Sequence, residues 1–201
     1  MPALKTAYQN KQSWRLRFAV AESASHIGLS LTKQQVDQYI LPLYVTLLGD
    51  SEPEVRSEAS SKLPLLSRNC SANLIISKVL PGLKLQLATE SSQHVKGAMA
   101  HAVCAMAENL TKEEASQHLI PMVSILLKKN STEVVVSLVE NMQGLVGAVS
   151  QVAIEEKVIP ALCSLASDKT WRIRLATVQF LPKLAAIVGA DLFKFKLESV
   201  L

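Results

Sequence analysis

Histidine and cysteine are the side chains best suited to metal or nucleophilic chemistry, and one stretch of this chain brings them close together. His94, His101 and Cys104 stand at i, i+7 and i+10, a spacing that could share one helix face. Zinc would want a fourth ligand and rarely uses that spacing. His94 reads as a turn residue and Cys104 as part of an apolar face, so surface and core positions account for all three. The chain has no glycine-rich phosphate loop, no H-E-x-x-H and no G-x-S-x-G. The expectation is a protein that is not an enzyme and uses no metal or cofactor.

The remaining chemistry is that of binding. The chain has two tryptophans, Trp14 and Trp171, and both lie in nearly the same phrase: KQSWRLRF at 11–18 and DKTWRIRL at 168–175. Each is followed by an arginine, Arg15 or Arg172. Tryptophan and arginine are enriched at interface hot spots because they combine a large apolar area with a rigid multi-donor head.

The elements that must position these residues come from a repeat. Pro2, Pro42, Pro81, Pro121 and Pro160 each follow an apolar residue, as in ILPL, VLPG, LIPM and VIPA, at steps of 40, 39, 40 and 39. Leu16-Arg17, Val55-Arg56, Val95-Lys96, Val134-Val135 and Ile173-Arg174 keep the same period. Each unit reads as two helices. In 31–48 the apolar residues Val36, Ile40, Leu43 and Leu47 share a face, and Thr32 with Gln35 forms a capping box; Thr111 and Glu114 repeat it in 110–127. Ser51-Glu52-Pro53-Glu54 reads as a third box, opening the second helix. The proline in each first helix frees a carbonyl and should bend it. The predicted fold is all-α, an α-α superhelix of about five repeats: 1–30 (partial), 31–69, 70–109, 110–149, 150–189 and 190–201 (partial).

In that register Trp14 and Trp171 occupy the place of Pro53, Gln93 and Thr132, two residues before the apolar rung. Their sister units close without an aromatic there, so the core does not demand it, and partner contact at the turn tips is the reading. Six residues before each basic position stand Asp50 for Arg56, Glu90 for Lys96 and Asp168 for Arg174, but Lys11 for Arg17 and Lys129 for Val135. Acid and base vanish together in 110–149, as an inter-repeat ladder of charge would require.

Composition narrows the class of partner. The chain is 49% hydrophobic but 4% aromatic, which suits helices packed on helices. Its 21 cationic and 17 anionic residues interleave, so the net charge of +4 gives no stripe for nucleic acid and no patch for a membrane. Cys70, Cys104 and Cys163 are odd in number and widely spaced, which fits free thiols. The expected compartment is the cytoplasm, with the nucleus as a second location. Three N-x-S/T triplets, at Asn69, Asn109 and Asn130, are read as unused.

The apolar-Pro first helix, then an acid, then V-R six residues on, repeated about every 39 residues, resembles HEAT repeats. SWRLR, DSEPEVRSEAS, SSQHVKGAMA and KTWRIRLA resemble more narrowly the scaffold subunits of type-2A serine/threonine protein phosphatases. That resemblance implies a horseshoe of fifteen repeats, with regulatory (B-type) subunits bound toward the N-terminal part and the catalytic subunit toward the C-terminal part. This chain would be an internal fragment. Trp171 and Arg172 match the turn where contact with the catalytic subunit begins, and Trp14 and Arg15 a turn on the regulatory side. STEVVVSL departs from the family's P-E-V-R. A karyopherin-like or other HEAT-repeat adaptor is the alternative. Pro2 falls mid-helix in the register and the chain stops at LESVL, so uncapped apolar ends are expected to invite self-association.

Overall fold

Leucine, valine and alanine at intervals of three and four give most segments one apolar stripe, and side-chain caps at Ser13, Thr32, Thr111, Ser131 and Ser150 set where five of them begin. The computed structural model describes residues 2–128 and 131–197, which are helical throughout apart from short turns, with no strand among them. The chain divides into two compact units, Met1–Ala102 and Val103–Leu201.

The first unit holds α1 (Pro2–Tyr8), α2 (Trp14–Leu29), α3 (33–48), α4 (Pro53–Ser67), α5 (72–89) and most of α6 (Gln93–Met106). α2 packs against α4, and α3 fills the angle beside them. Val36, Ile40, Tyr44 and Leu47 of α3 meet a core that includes Val55, Ala59, Leu63 and Leu66 of α4, all essentially inaccessible. Burying a leucine this fully contributes about 1.5–3 kcal/mol. Leu63→Ala would lose that and leave a cavity, at a total cost of about 2–5 kcal/mol. The buried Tyr44 hydroxyl donates to the Ala21 carbonyl at 2.5 Å, and burial raises its pKa. Gly28 lets α2 and α4 approach closely, because a Cβ there would lie 3.0 Å from Leu66 Cδ1. Asn69 donates to the Gly28 and Leu31 carbonyls at 2.8 Å, so its amide is engaged in structure.

The second unit holds the end of α6, α7 (Lys112–Leu127), α8 (Thr132–Ala148), α9 (151–166), α10 (Trp171–Val188) and α11 (Ala190–Leu197). Here α8 packs on α10, with α7 against α8 and α9 against α10. Leu138, Leu145, Leu162 and Leu184 are among its inaccessible residues. No helix among the described residues is long and apolar enough to cross a membrane.

Both capping boxes read at Thr32/Gln35 and Thr111/Glu114 form. The third does not: α4 begins after Glu52 with no side-chain cap, and Asp50 Oδ1 accepts the Glu52 N–H at 2.9 Å instead. The repeated proline also acts differently from a simple kink. In α3, α5 and α9 a five-residue π turn, at Val36–Ile40, Ile75–Val79 and Ile154–Val158, closes two residues before Pro42, Pro81 and Pro160. The N–H groups of Leu41, Leu80 and Ile159 reach back five residues, to Val36, Ile75 and Ile154. Proline lacks a donor and its ring crowds the carbonyl four back, so a locally wider turn accommodates it. α7 instead stays α-helical through Pro121.

Candidate protein-binding turns

The second helices of the repeats, α2, α4, α6, α8 and α10, begin at the same register position: Trp14, Pro53, Gln93, Thr132 and Trp171. The turn before each is shaped by its arginine and acid where these are present. Arg17 Nη1 donates to the Asn10 and Lys11 carbonyls at 2.9 and 3.4 Å, Arg56 Nη1 to those of Asp50 and Ser51 at 2.8 and 3.0 Å, and Arg174 Nη1 to those of Asp168 and Lys169 at 2.8 and 3.1 Å. Thus the residue six back contributes its backbone, whatever its side chain, which is why Lys11 serves Arg17.

The carboxylate comes from the next turn along. Arg17 Nε and Nη2 donate to both oxygens of Asp50 at 2.6 and 2.9 Å, 33 residues on. Arg56 does the same to Glu90 at 2.7 and 2.8 Å, 34 residues on. Burial pushes the Glu90 carboxyl up, but Arg56, the Ser92 N–H and Gln86 outweigh it and hold it at about 2. Burial also pushes Asp50 up, and the bonds from Arg17 and the Glu52 N–H outweigh it, leaving its carboxyl below the usual range. Acid and base of one repeat therefore belong to different rungs, which corrects the reading that pairs them by joint loss. In the second unit Val135 stands at the arginine's place, 33 residues before Asp168. Asp168 meets no guanidinium from it and instead accepts the Thr170 N–H at 2.7 Å. Lys96 is half-buried at the corresponding position of α6, and Lys129 lies outside the described residues.

The two tryptophans share a register and differ in setting. Trp14 is half-buried, edge-on to Phe18 with ring centroids 6.4 Å apart, and the Arg15 guanidinium lies 4.9 Å from its ring centre. Ser13 caps its helix by accepting the Leu16 N–H. Trp14 thus folds onto its own helix. Trp171 is 63% exposed, on a turn held by Arg174 and Asp168. Beside it Arg172 donates to Glu133 Oε1 at 3.3 Å, 39 residues back, a pair of exposed side chains on successive turns. The 39-residue step puts Glu133 at the register of Arg172 one repeat earlier, although the sequence alone does not pair them. His94 and His101 are exposed and Cys104 is buried, and among the described residues no group of three or more His, Cys, Asp or Glu could hold a metal ion. Burial raises the Cys70 and Cys104 thiols to about 12, so neither is a nucleophile near neutrality.

Residues 33–111 match the PPP2R1A-like HEAT repeat family and residues 158–188 the HEAT repeat, together more than half of the chain. The chain belongs to the HEAT-repeat family and is a repeat scaffold. Within that family it is similar to the beta isoform of the 65 kDa A-type regulatory subunit of serine/threonine-protein phosphatase 2A from Homo sapiens, with 31% identity over 107 residues, 51% of this chain and 18% of the relative. It is also similar to the A-type regulatory subunit of protein phosphatase PP2A from Schizosaccharomyces pombe, with 30% identity over 186 residues, 89% of this chain and 30% of the relative. The chain spans under a third of the length of these relatives. The crystal structure of Cex1p shares the fold, with a TM-score of 0.74 and 14% identity over 92% of this chain and 36% of that one.

Proposed function

We propose that this chain is a non-catalytic scaffold that binds the catalytic and regulatory subunits of a type-2A serine/threonine protein phosphatase through its intra-repeat turns. The observation that carries this reading is Trp171: a large aromatic left 63% exposed on a turn ordered by hydrogen bonds, with Arg172 and Arg174 close by in the same helix. A preordered aromatic loses little conformational freedom on binding, so most of its buried area is retained as affinity. Arg172 and Glu133 frame it with opposite charges that orient a partner. Similarity to the 65 kDa A-type regulatory subunits of phosphatase 2A supports phosphatase subunits as the partners. The same similarity supports assigning Trp14 and Arg15 to the regulatory side, although their mutual stacking makes them the weaker anchor. The working compartment in this reading is the cytoplasm.

Surface plasmon resonance with the chain immobilised and purified phosphatase 2A catalytic subunit in solution tests the reading. Saturable binding, with no phosphatase activity in the chain alone, supports it. Activity in the pure chain, or no binding of the catalytic subunit at micromolar concentration, contradicts it.

A further inference from the structure

α5 has a glycine where α3, which lies beside it, has a leucine. Pro42 and Pro81 hold the same place in successive repeats, so Gly82 corresponds to Leu43. Leu43 is 6% exposed and lines the groove between α1 and α3. Gly82 stands before open space: a Cβ there would meet nothing within 4 Å. The next groove, between α3 and α5, is correspondingly unfilled. Its volume is about 390 Å³, and it is lined by Asp37, Leu41, Pro42 and Val45 of α3 and by Leu74 and Lys78 of α5. Gly82 continues the Leu74–Lys78 stripe at the same four-residue step. Each wall contains a π turn, Val36–Ile40 with Asp37 and Ile75–Val79 with Lys78, a distortion that recurs at functional sites in helices. Helices precede and follow both walls along the chain, so the groove does not lie at an end of the sequence.

The charges of the two walls select an acidic occupant. α3 and α5 together carry Lys33, Lys78 and Lys84 against one acid, Asp37. Asp37 is already engaged: its Oδ1 accepts the Ser71 N–H at 3.1 Å and its Oδ2 accepts the Ser71 hydroxyl. Lys33 stands one turn before Asp37 on the Asp37–Leu41–Val45 stripe, and Lys78 lines the opposite wall. All three lysines are exposed, and among the described residues none forms an ion pair. Leu85, 68% exposed and seven residues after Lys78 on α5, extends the apolar side of the groove.

We infer that the groove between α3 and α5 binds a short acidic segment of a separate protein. A leucine or phenylalanine side chain of that segment seats against Leu41, Pro42, Val45 and Leu74, and its carboxylates meet Lys33 and Lys78. The volume lies within the range of about 300–1,000 Å³ that pockets for small ligands occupy. A basic segment would bring cations toward lysines that have no carboxylate to offset them. The site uses neither tryptophan turn, so it stands whether or not a phosphatase subunit binds, and its test contains none.

The probes are random peptides displayed on phage, depleted first on Gly82→Leu protein, in which the added side chain fills the groove, and then selected on the unsubstituted chain. Surviving peptides are synthesised and titrated into the nitrogen-15-labelled 201-residue protein. The expected survivors join leucine or phenylalanine to aspartate or glutamate and shift amides only within 33–45 and 74–85. Their binding should be about tenfold weaker or more to Lys78→Glu, in which an exposed charge is reversed, and to Gly82→Leu. Gly82→Leu should melt no lower than the unsubstituted chain, since leucine favours a helix over glycine and enters open space. That result separates a filled groove from a damaged fold; if Gly82→Leu melts lower, Lys78→Glu carries the decision. No survivor that binds more tightly than millimolar, survivors rich in lysine and arginine, shifts on other helices, or unchanged affinity for Lys78→Glu overturns the proposal. So does self-association of the chain alone that Gly82→Leu abolishes, which would assign the groove to a second copy.

Discussion

Arg56 and Glu90, 34 residues apart, are joined by two parallel hydrogen bonds of 2.7 and 2.8 Å, with the Glu90 side chain 1% exposed. Arg56 also holds the carbonyls of its own turn, so one side chain ties two successive turns together. Removing either partner would leave a buried charge unpaired, which costs more than the pair itself contributes.

This pair makes stability depend on acid. Glu90 is held at about 2 in the folded chain against an ordinary 4.5. The folded value is the lower one, so the contribution is complete above pH 4.5 and lost as pH falls toward 2. At full effect a displacement of that size corresponds to about 3 kcal/mol, an upper bound that solvent screening reduces. Chemical denaturation from pH 7 to pH 2 should show wild-type stability falling steeply below pH 4.5 and a flatter curve for Glu90→Gln. Parallel curves would show that another group carries the acid sensitivity.

The second unit offers the reverse experiment. Val135 is 4% exposed at a register where Arg17, at 7%, is accommodated on α2. Val135→Arg should therefore reach Asp168 and add a bidentate pair, worth about 1 kcal/mol once the desolvation cost is subtracted. A double-mutant cycle with Asp168→Asn reads the coupling directly. Zero coupling would mean that the turn geometry of the second unit differs from that of the first.

Two glycines bear on the same helix. A Cβ at Gly144 would lie 3.7 Å from the Cys104 carbonyl, an ordinary contact, and one at Gly147 would meet nothing within 4 Å. Each glycine costs α8 about 0.5–1 kcal/mol relative to alanine. With no arginine rung and two glycines, 132–148 should exchange its amides faster than 53–67, and Gly144→Ala with Gly147→Ala should slow it. Better protection of 132–148 in the wild type would exclude a soft point here.

The repeat step, the two-helix unit and the N-terminal position of both tryptophans were legible in the sequence because each follows from periodicity. Caps at Thr32 and Thr111 were legible for the same reason, since both partners lie within three residues. The ladder's pairing was not. An arginine six residues after an acid looks like its partner along the chain, yet it takes the backbone there and reaches 33 or 34 residues on for the carboxylate. The π turns were also hidden, because Pro121 in a similar context makes none. Nor did sequence separate Trp14 from Trp171: Phe18 folds Trp14 inward, whereas Leu175 at the same place in α10 is itself exposed.

That contrast provides the most direct test of the account. Binding of the purified phosphatase 2A catalytic subunit should be measured by isothermal titration calorimetry for wild type, Trp171→Ala and Trp14→Ala, with thermal melts of each. The account expects Trp171→Ala to lose about 2 kcal/mol of binding or more with little change in melting temperature. Trp14→Ala should lower the melting temperature, because it removes a packed ring, and leave affinity for the catalytic subunit largely intact. Unchanged affinity in Trp171→Ala together with a large drop in its melting temperature would contradict the account and make Trp171 a structural residue.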